Sequence, residues 1–103
     1  RGLDNMIYEL IPIHSNVKSF YGKAKVQLNK TDNTEVYTLF SYDIKVATCV
    51  KDTEANNTTC TLVDIFSNTT TRHQKEFFRQ MGMSAKEVDE FFKEYRKLKK
   101  GSK

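Results

Sequence analysis

Glycine and proline are scarce in this sequence, at four and one of 103 residues, which argues against a disordered chain or a repeat-built array. Long apolar runs are missing too. No stretch approaches the roughly 20 residues that a membrane span requires, and no basic segment near the N-terminus leads into an apolar one, so neither a transmembrane helix nor a signal peptide is read here. Cysteine and histidine number two each. Cys49 and Cys60 have no CxxC spacing and no clustered histidine pair, so they cannot complete a tetrahedral zinc site. His14 and His73 are far apart in the chain, and no Ser-His-Asp or Cys-His constellation assembles around either. The expectation is a protein with no metal, no cofactor and no catalytic residue.

What is present supports one packed domain over residues 1–103: 38% hydrophobic residues, with seven Phe and five Tyr, are enough for a single core but not for two. Residues 1–5 precede the first Met and read as an expression remnant or a disordered upstream extension. The net charge of +4 hides a segregation. Residues 93–103 hold six basic residues and one acid, leaving eleven basic and twelve acidic residues before them. The body is nearly neutral and the positive charge is a C-terminal feature.

Five segments read as strands. Ile7 to Ile13 is a near-continuous apolar run that Pro12, lacking an N–H for the ladder, pushes to a sheet edge or a strand end. Lys23 to Leu28 alternates, with Ala24, Val26 and Leu28 on one face. Glu35 to Tyr42 and Ile44 to Val50 are β-branched and aromatic runs separated by a tight turn or bulge around Ser41 to Asp43. Cys60 to Phe66 registers against the fourth run if Cys49 faces Cys60, because Ala47 then meets Leu62, Thr48 meets Thr61, Val46 meets Val63, Ile44 meets Ile65 and Lys45 meets Asp64. That hairpin has a polar loop at Lys51 to Thr58 and puts the cysteines on the face of the charged pair. A cross-strand disulfide is geometrically open and requires an oxidising compartment.

Two helices follow. Thr71 and Gln74 have capping-box spacing, Phe77, Phe78 and Met81 form an apolar stripe, and Gly82 suits the left-handed position past the end. In the second helix Ser84 and Glu87 form another capping box, Met83 and Val88 have staple spacing, and Val88, Phe91, Phe92, Tyr95 and Leu98 recur at helical intervals. The expected fold is α+β, an antiparallel sheet of about five strands with two C-terminal amphipathic helices on one face.

Candidate binding residues fall in three places. Ser19-Phe20-Tyr21-Gly22-Lys23 sets two aromatics beside a cation, the combination that stacks a base and holds its phosphate; the plainer reading, which is favoured, makes Phe20 a core plug and Tyr21 a strand cap. Arg72 and His73 stand in a helix's first turn, where a cation gains nothing from the dipole, so packing or a partner must explain them. For His73 packing is favoured over catalysis, while Arg72 is matched either to an acid such as Asp64 or to a ligand phosphate. Arg96, Lys97, Lys99 and Lys100 cluster at the C-terminus, where lysines complement the helix dipole and aid solubility but also attract nucleic acid or an acidic surface weakly and salt-sensitively. Asn-X-Ser/Thr sequons at Asn29, Asn56, Asn57 and Asn68 are explained by turns and caps, all four being placed in loops.

Three blocks in order, Ser19-Phe20-Tyr21-Gly22-Lys23-Ala24, Leu39-Phe40-Ser41-Tyr42-Asp43-Ile44-Lys45-Val46-Ala47 and the threonine run leading through Arg72-His73 to Glu76-Phe77, resemble a family of small uncharacterised proteins of phages and mobile elements in low-GC Gram-positive bacteria. The likeness runs from about Met6 to about Gly82. It implies an accessory protein in a bacterial cytoplasm, with Cys49 and Cys60 as reduced, structural thiols, and carries no catalytic residue. The expected function is a non-enzymatic binding protein contacting nucleic acid or a host nucleoprotein complex, with Arg96, Lys97, Lys99 and Lys100 on the nucleic acid and Phe20, Tyr21, Lys23, Arg72 and His73 on a partner. The alternative is a protein-directed inhibitor of a bacterial defence system.

Overall fold

The computed structural model describes residues 4–14, 17–64 and 67–101. Five strands, β1 (Asp4–Glu9), β2 (Ala24–Lys30), β3 (Thr34–Ser41), β4 (Ile44–Asp52) and β5 (Asn57–Leu62), form one antiparallel sheet in the order β1-β2-β3-β4-β5. Helices α1 (Asn68–Gln80) and α2 (Ala85–Gly101) follow. The α+β expectation holds, and so does the order of strands before helices. Ala24, Val26, Leu39, Ala47, Cys49 and Leu62 form the buried face of the sheet, and Phe77 and Phe78 of α1 with Val88 and Phe92 of α2 pack in the same core.

The first strand begins and ends earlier than the apolar run suggests. Asp4 and Asn5, read as the end of an extension, pair with Lys30 and Asn29; residues 1–3 lie outside the described residues. After Glu9 only the Leu10 N–H still bonds the sheet, at Ala24 O. The chain then leaves for α1. The buried Glu76 carboxylate accepts the N–H groups of Ile13 and His14 at 3.0 Å each, and the Gln80 amide donates to Ile11 O at 2.7 Å. Pro12 therefore marks a strand end on an edge strand, and the segment after β1 trades ladder bonds for side-chain bonds.

The β4–β5 register is as the pairing rule gives it, with Ala47 opposite Leu62, Thr48 opposite Thr61 and Cys49 opposite Cys60. The loop is shorter than expected because Lys51 still pairs with Thr58 and Asp52 with Asn57. Val63 N–H reaches Val46 O at 3.1 Å, after which the strand stops and the chain turns towards α1; Ile65 and Phe66 lie outside the described residues. One correction concerns faces. A register shift between Leu39 and Phe40 makes Val46 an extra, buried residue, so the cysteines lie on the buried face with Ala47 while Lys45 is exposed. A bulge of this kind re-aims side chains, which strict alternation cannot anticipate.

A second correction concerns the thiols. Cys49 and Cys60 are joined as a disulfide, their Cα atoms 4.0 Å apart. The bond from Val63 to Val46 sets the ladder phase so that Cys49 and Cys60 form a non-hydrogen-bonded pair, the pair type with the closer Cα approach. That geometry overrides the reading of free, reduced cysteines.

A third correction is the start of α1. Ser67, not Thr71, caps the helix, its hydroxyl accepting the Thr70 N–H at 3.2 Å, and Thr71 instead donates its hydroxyl to Ser67 O at 3.0 Å. Gln74 is not a capping partner. It is buried and donates to Val46 O at 3.0 Å and to Asp64 O at 2.8 Å, which ties α1 to the bulge. At the other end Gly82 has a φ of +113°, with Gly82 N–H bonded to Arg79 O and Met83 N–H to Phe78 O, the bonding of a Schellman motif. The Ser84 and Glu87 capping box forms in both directions, at 2.9 and 3.2 Å. Val88, Phe91, Phe92 and Tyr95 pack inward, but Leu98 is 70% exposed, so the apolar stripe of α2 ends one turn early. The sequons are corrected too: Asn29 sits within β2, Asn57 opens β5 and Asn68 opens α1, leaving only Asn56 in a turn.

Candidate functional site

Two tight turns and the first turns of α1 meet at one end of the molecule. Phe20 to Lys23 closes with a 2.9 Å bond from Lys23 N–H to Phe20 O, and its central residues Tyr21 and Gly22 both have positive φ, +54° and +74°. The β3–β4 connection is the two residues Tyr42 and Asp43, again both at positive φ, +52° and +68°. Positive φ at both centres is the signature of a primed hairpin turn, which glycine, asparagine and aspartate enter readily and tyrosine does not. Both turns thus carry an aromatic residue in a conformation that costs backbone strain. Such outliers concentrate at ligand-clamping positions.

The cleft between these turns and α1 has a volume of about 450 Å³ and is lined by Lys18, Phe20, Tyr21, Lys23, Tyr42, Thr69, Arg72 and His73, together with Val17 and Ser19. Tyr21 is 77% exposed and Tyr42 is also exposed, whereas Phe20 is buried and forms the cleft's inner wall. Lys23 Nζ stands 5.9 Å from the centre of the Tyr42 ring, a cation–π contact at the cleft mouth. The structure brings together all five residues read from sequence as partner-binding, Phe20, Tyr21, Lys23, Arg72 and His73. It adds Lys18 and Tyr42, which sequence reasoning missed.

His73 organises the inner wall. Its Nδ1 and Ser41 Oγ share a 2.8 Å hydrogen bond, Ser41 Oγ lies 3.1 Å from Thr70 Oγ1, and all three residues are buried. The ring packs edge-on to Phe20 with centroids 4.5 Å apart and tilted to Tyr42 at 5.9 Å. Burial pushes the His73 pKa below its ordinary value, because a charged imidazolium would lose its hydration there. A neutral, fully packed histidine bonded to a buried serine positions neighbours. Ser41 is buried, and the exposed groups of the cleft are tyrosines, lysines, an arginine and Thr69.

Arg72 also lines a second, smaller cleft of about 210 Å³ with His14, Lys75 and Arg79. Its suggested partner Asp64 is engaged elsewhere, since Tyr95 Oη donates to Asp64 Oδ1 at 3.2 Å. Arg96 and Lys97 are not brought to the aromatic cleft. Arg96 and Lys97 are exposed on α2, Lys97 shares a shallow surface with Glu90, Lys93 and Glu94, and the side chains of Lys99 and Lys100 lie outside the described residues.

A family model described as a family of unknown function (DUF8033) matches residues 8–94. The chain belongs to that family. The match takes in the end of β1, all of β2 to β5 and α1, and most of α2, so the cleft of this DUF8033 member falls within the family's span, while residues 1–7 and 95–103, with Arg96, Lys97, Lys99 and Lys100, lie outside it. No curated protein and no solved structure matches the chain. The expectation of an uncharacterised family holds for this DUF8033 chain. No helix among its described residues is long and apolar enough to cross a membrane.

Proposed function

We propose that this protein is a non-enzymatic binding protein that takes single-stranded nucleic acid, free or within a host nucleoprotein complex, into the cleft between Tyr21, Tyr42 and Arg72. The observation that carries the reading is the pair of strained, exposed tyrosines flanked by Lys18, Lys23 and Arg72. Aromatic rings supply sequence-tolerant stacking of about 1–3 kcal/mol per base, and the cations track the backbone. Arg96, Lys97, Lys99 and Lys100 add a longer-ranged attraction, moderated at Lys97 by the neighbouring Glu90 and Glu94.

An origin in a phage or mobile element of a Gram-positive host, and action in the host cytoplasm, rest on the resemblance of the three sequence blocks. The Cys49–Cys60 disulfide weighs against a permanently reducing compartment. A protein-directed inhibitor of a host defence system is the second reading, favoured by a separate surface described below.

Fluorescence anisotropy with labelled oligo-dT and with a duplex of equal length tests the proposal. Three phosphate contacts predict that the logarithm of affinity falls with the logarithm of salt at a slope of about −2 on the single strand. Tyr21→Gly should weaken binding by about 1–3 kcal/mol while leaving stability equal or higher, because glycine relieves the positive φ at that turn. Absence of binding at low salt, or a Tyr21→Gly variant that binds as well as the wild type, removes the nucleic-acid reading and leaves the protein-directed one.

A further inference from the structure

The two edges of the sheet differ. β1 carries Glu9 and is followed by Pro12, and its departing chain is clamped by Glu76 and Gln80, the usual means of blunting an edge. β5 reads Asn57-Thr58-Thr59-Cys60-Thr61-Leu62, with no charge and no proline. No described element pairs with its outer side. The Val63 to Val46 bond fixes which groups face outward: residues 57, 59 and 61 and the Val63 N–H turn towards β4, the Val63 C=O accepts from Tyr95 Oη at 3.2 Å, and Thr58, Cys60 and Leu62 turn their N–H and C=O to the open edge.

That open edge borders a cleft of about 570 Å³ between β5 and the helices. Thr58 and Cys60 form its strand side, half-buried Met81, Met83 and Phe91 its apolar floor, and Glu87, Glu90 and Glu94 an acidic rim along α2. We infer that this groove receives an extended, basic segment of a partner protein as a sixth strand. A strand laid antiparallel on β5 bonds Thr58, Cys60 and Leu62 through every second residue, and the side chains of those same residues point inward, into the cleft. Lysine or arginine fits there, its aliphatic stem lying on Met81, Met83 and Phe91 and its cation reaching Glu90 and Glu94. Threonine suits the intervening positions, which continue the outer face of Thr59 and Thr61. A second copy of this chain is the poorer occupant, since two-fold pairing of β5 with β5 sets the two glutamate rows facing each other.

The test uses a labelled seven-residue peptide of alternating threonine and lysine and the same peptide N-methylated on the backbone nitrogen of each lysine, which keeps the charge and removes the donors to β5. The parent peptide should bind and slow amide exchange at Thr58, Cys60 and Leu62. N-methylation should abolish binding, and Glu90→Lys with Glu94→Lys should weaken it at least tenfold, Glu87 being spared because it caps α2. No binding by the parent, equal binding by the N-methylated peptide, or indifference to the charge reversals overturns the inference. So does a dimer in sedimentation that the peptide fails to dissociate.

Discussion

Along α1 the contacts change character from one end to the other. In the N-terminal half they are polar and specific to atoms: Ser67 on Thr70, His73 on Ser41, Gln74 on Val46 and Asp64, with Glu76 just beyond on the amides of Ile13 and His14. In the C-terminal half Phe77 and Phe78 pack on each other and Phe78 packs on Phe91 and Phe92, with centroid distances of 5.1–6.1 Å. Apolar packing supplies most of the free energy but tolerates small shifts, whereas a buried hydrogen bond is worth about 1 kcal/mol and tolerates almost none. The polar half therefore sets where Arg72 stands relative to Tyr21 and Tyr42. The aromatic half keeps the helix on the sheet.

Phe78→Ala should show the largest effect of any single change along α1. Loss of a fully buried ring costs about 3–5 kcal/mol, a large share of a small domain's stability, and a urea midpoint shift of matching size is the check. A loss under about 1 kcal/mol would mean that the aromatic half does not anchor the helix.

Acidification should act on the polar half by a smaller amount. Because burial lowers the folded-state pKa of His73, the unfolded chain takes up the proton more readily. The histidine's contribution is complete above the unfolded value of about 6.5 and is lost as pH falls through the folded value. Urea midpoints compared between about pH 7.5 and pH 5 should therefore drop more for the wild type than for His73→Gln. Equal drops would show that His73 charges as easily in the fold as outside it.

The smallest change is expected at the cap. Ser67→Ala should cost about 1 kcal/mol, and Thr71→Ala distinctly less, since Ser67 accepts the orphan N–H and Thr71 only returns its hydroxyl to Ser67 O. Calorimetric melting of the two variants side by side decides it, and the reverse order would place the helix start at Thr71.

Much of this architecture is legible without coordinates. The β4–β5 register follows from cross-strand chemistry, and the start of α2 follows from Ser84 and Glu87. What escapes is whatever depends on one extra residue or on distant neighbours. The Val46 bulge breaks a period of two, and no composition rule predicts it. Ser67, Asn68, Thr69, Thr70 and Thr71 are all competent caps, so local propensity cannot choose among them. The candidate cleft is half legible. Phe20, Tyr21 and Lys23 stand out as a block, as do Arg72 and His73, but their meeting depends on Ser41 reaching His73 across 32 residues. Tyr42 is missed as a site residue although a tight turn around Ser41 to Asp43 is legible, because nothing local shows that the Tyr42–Asp43 turn faces α1.

The strand order has a consequence for how the molecule assembles. Every ladder joins strands adjacent in the chain, so the sheet forms from local closures, the longest being the 10–23 link between β1 and β2. Among the described residues the side-chain bonds of longest sequence separation tie the segment after β1 to α1: Glu76 to Ile13 over 63 residues and Gln80 to Ile11 over 69. A nascent sheet can therefore gather quickly with its inner face bare, while the clasp between α1 and residues 11–14 waits for the helices to dock. During synthesis that interval lasts until α1 has left the ribosome, with the face of Val26, Leu39 and Ala47 open to solvent meanwhile.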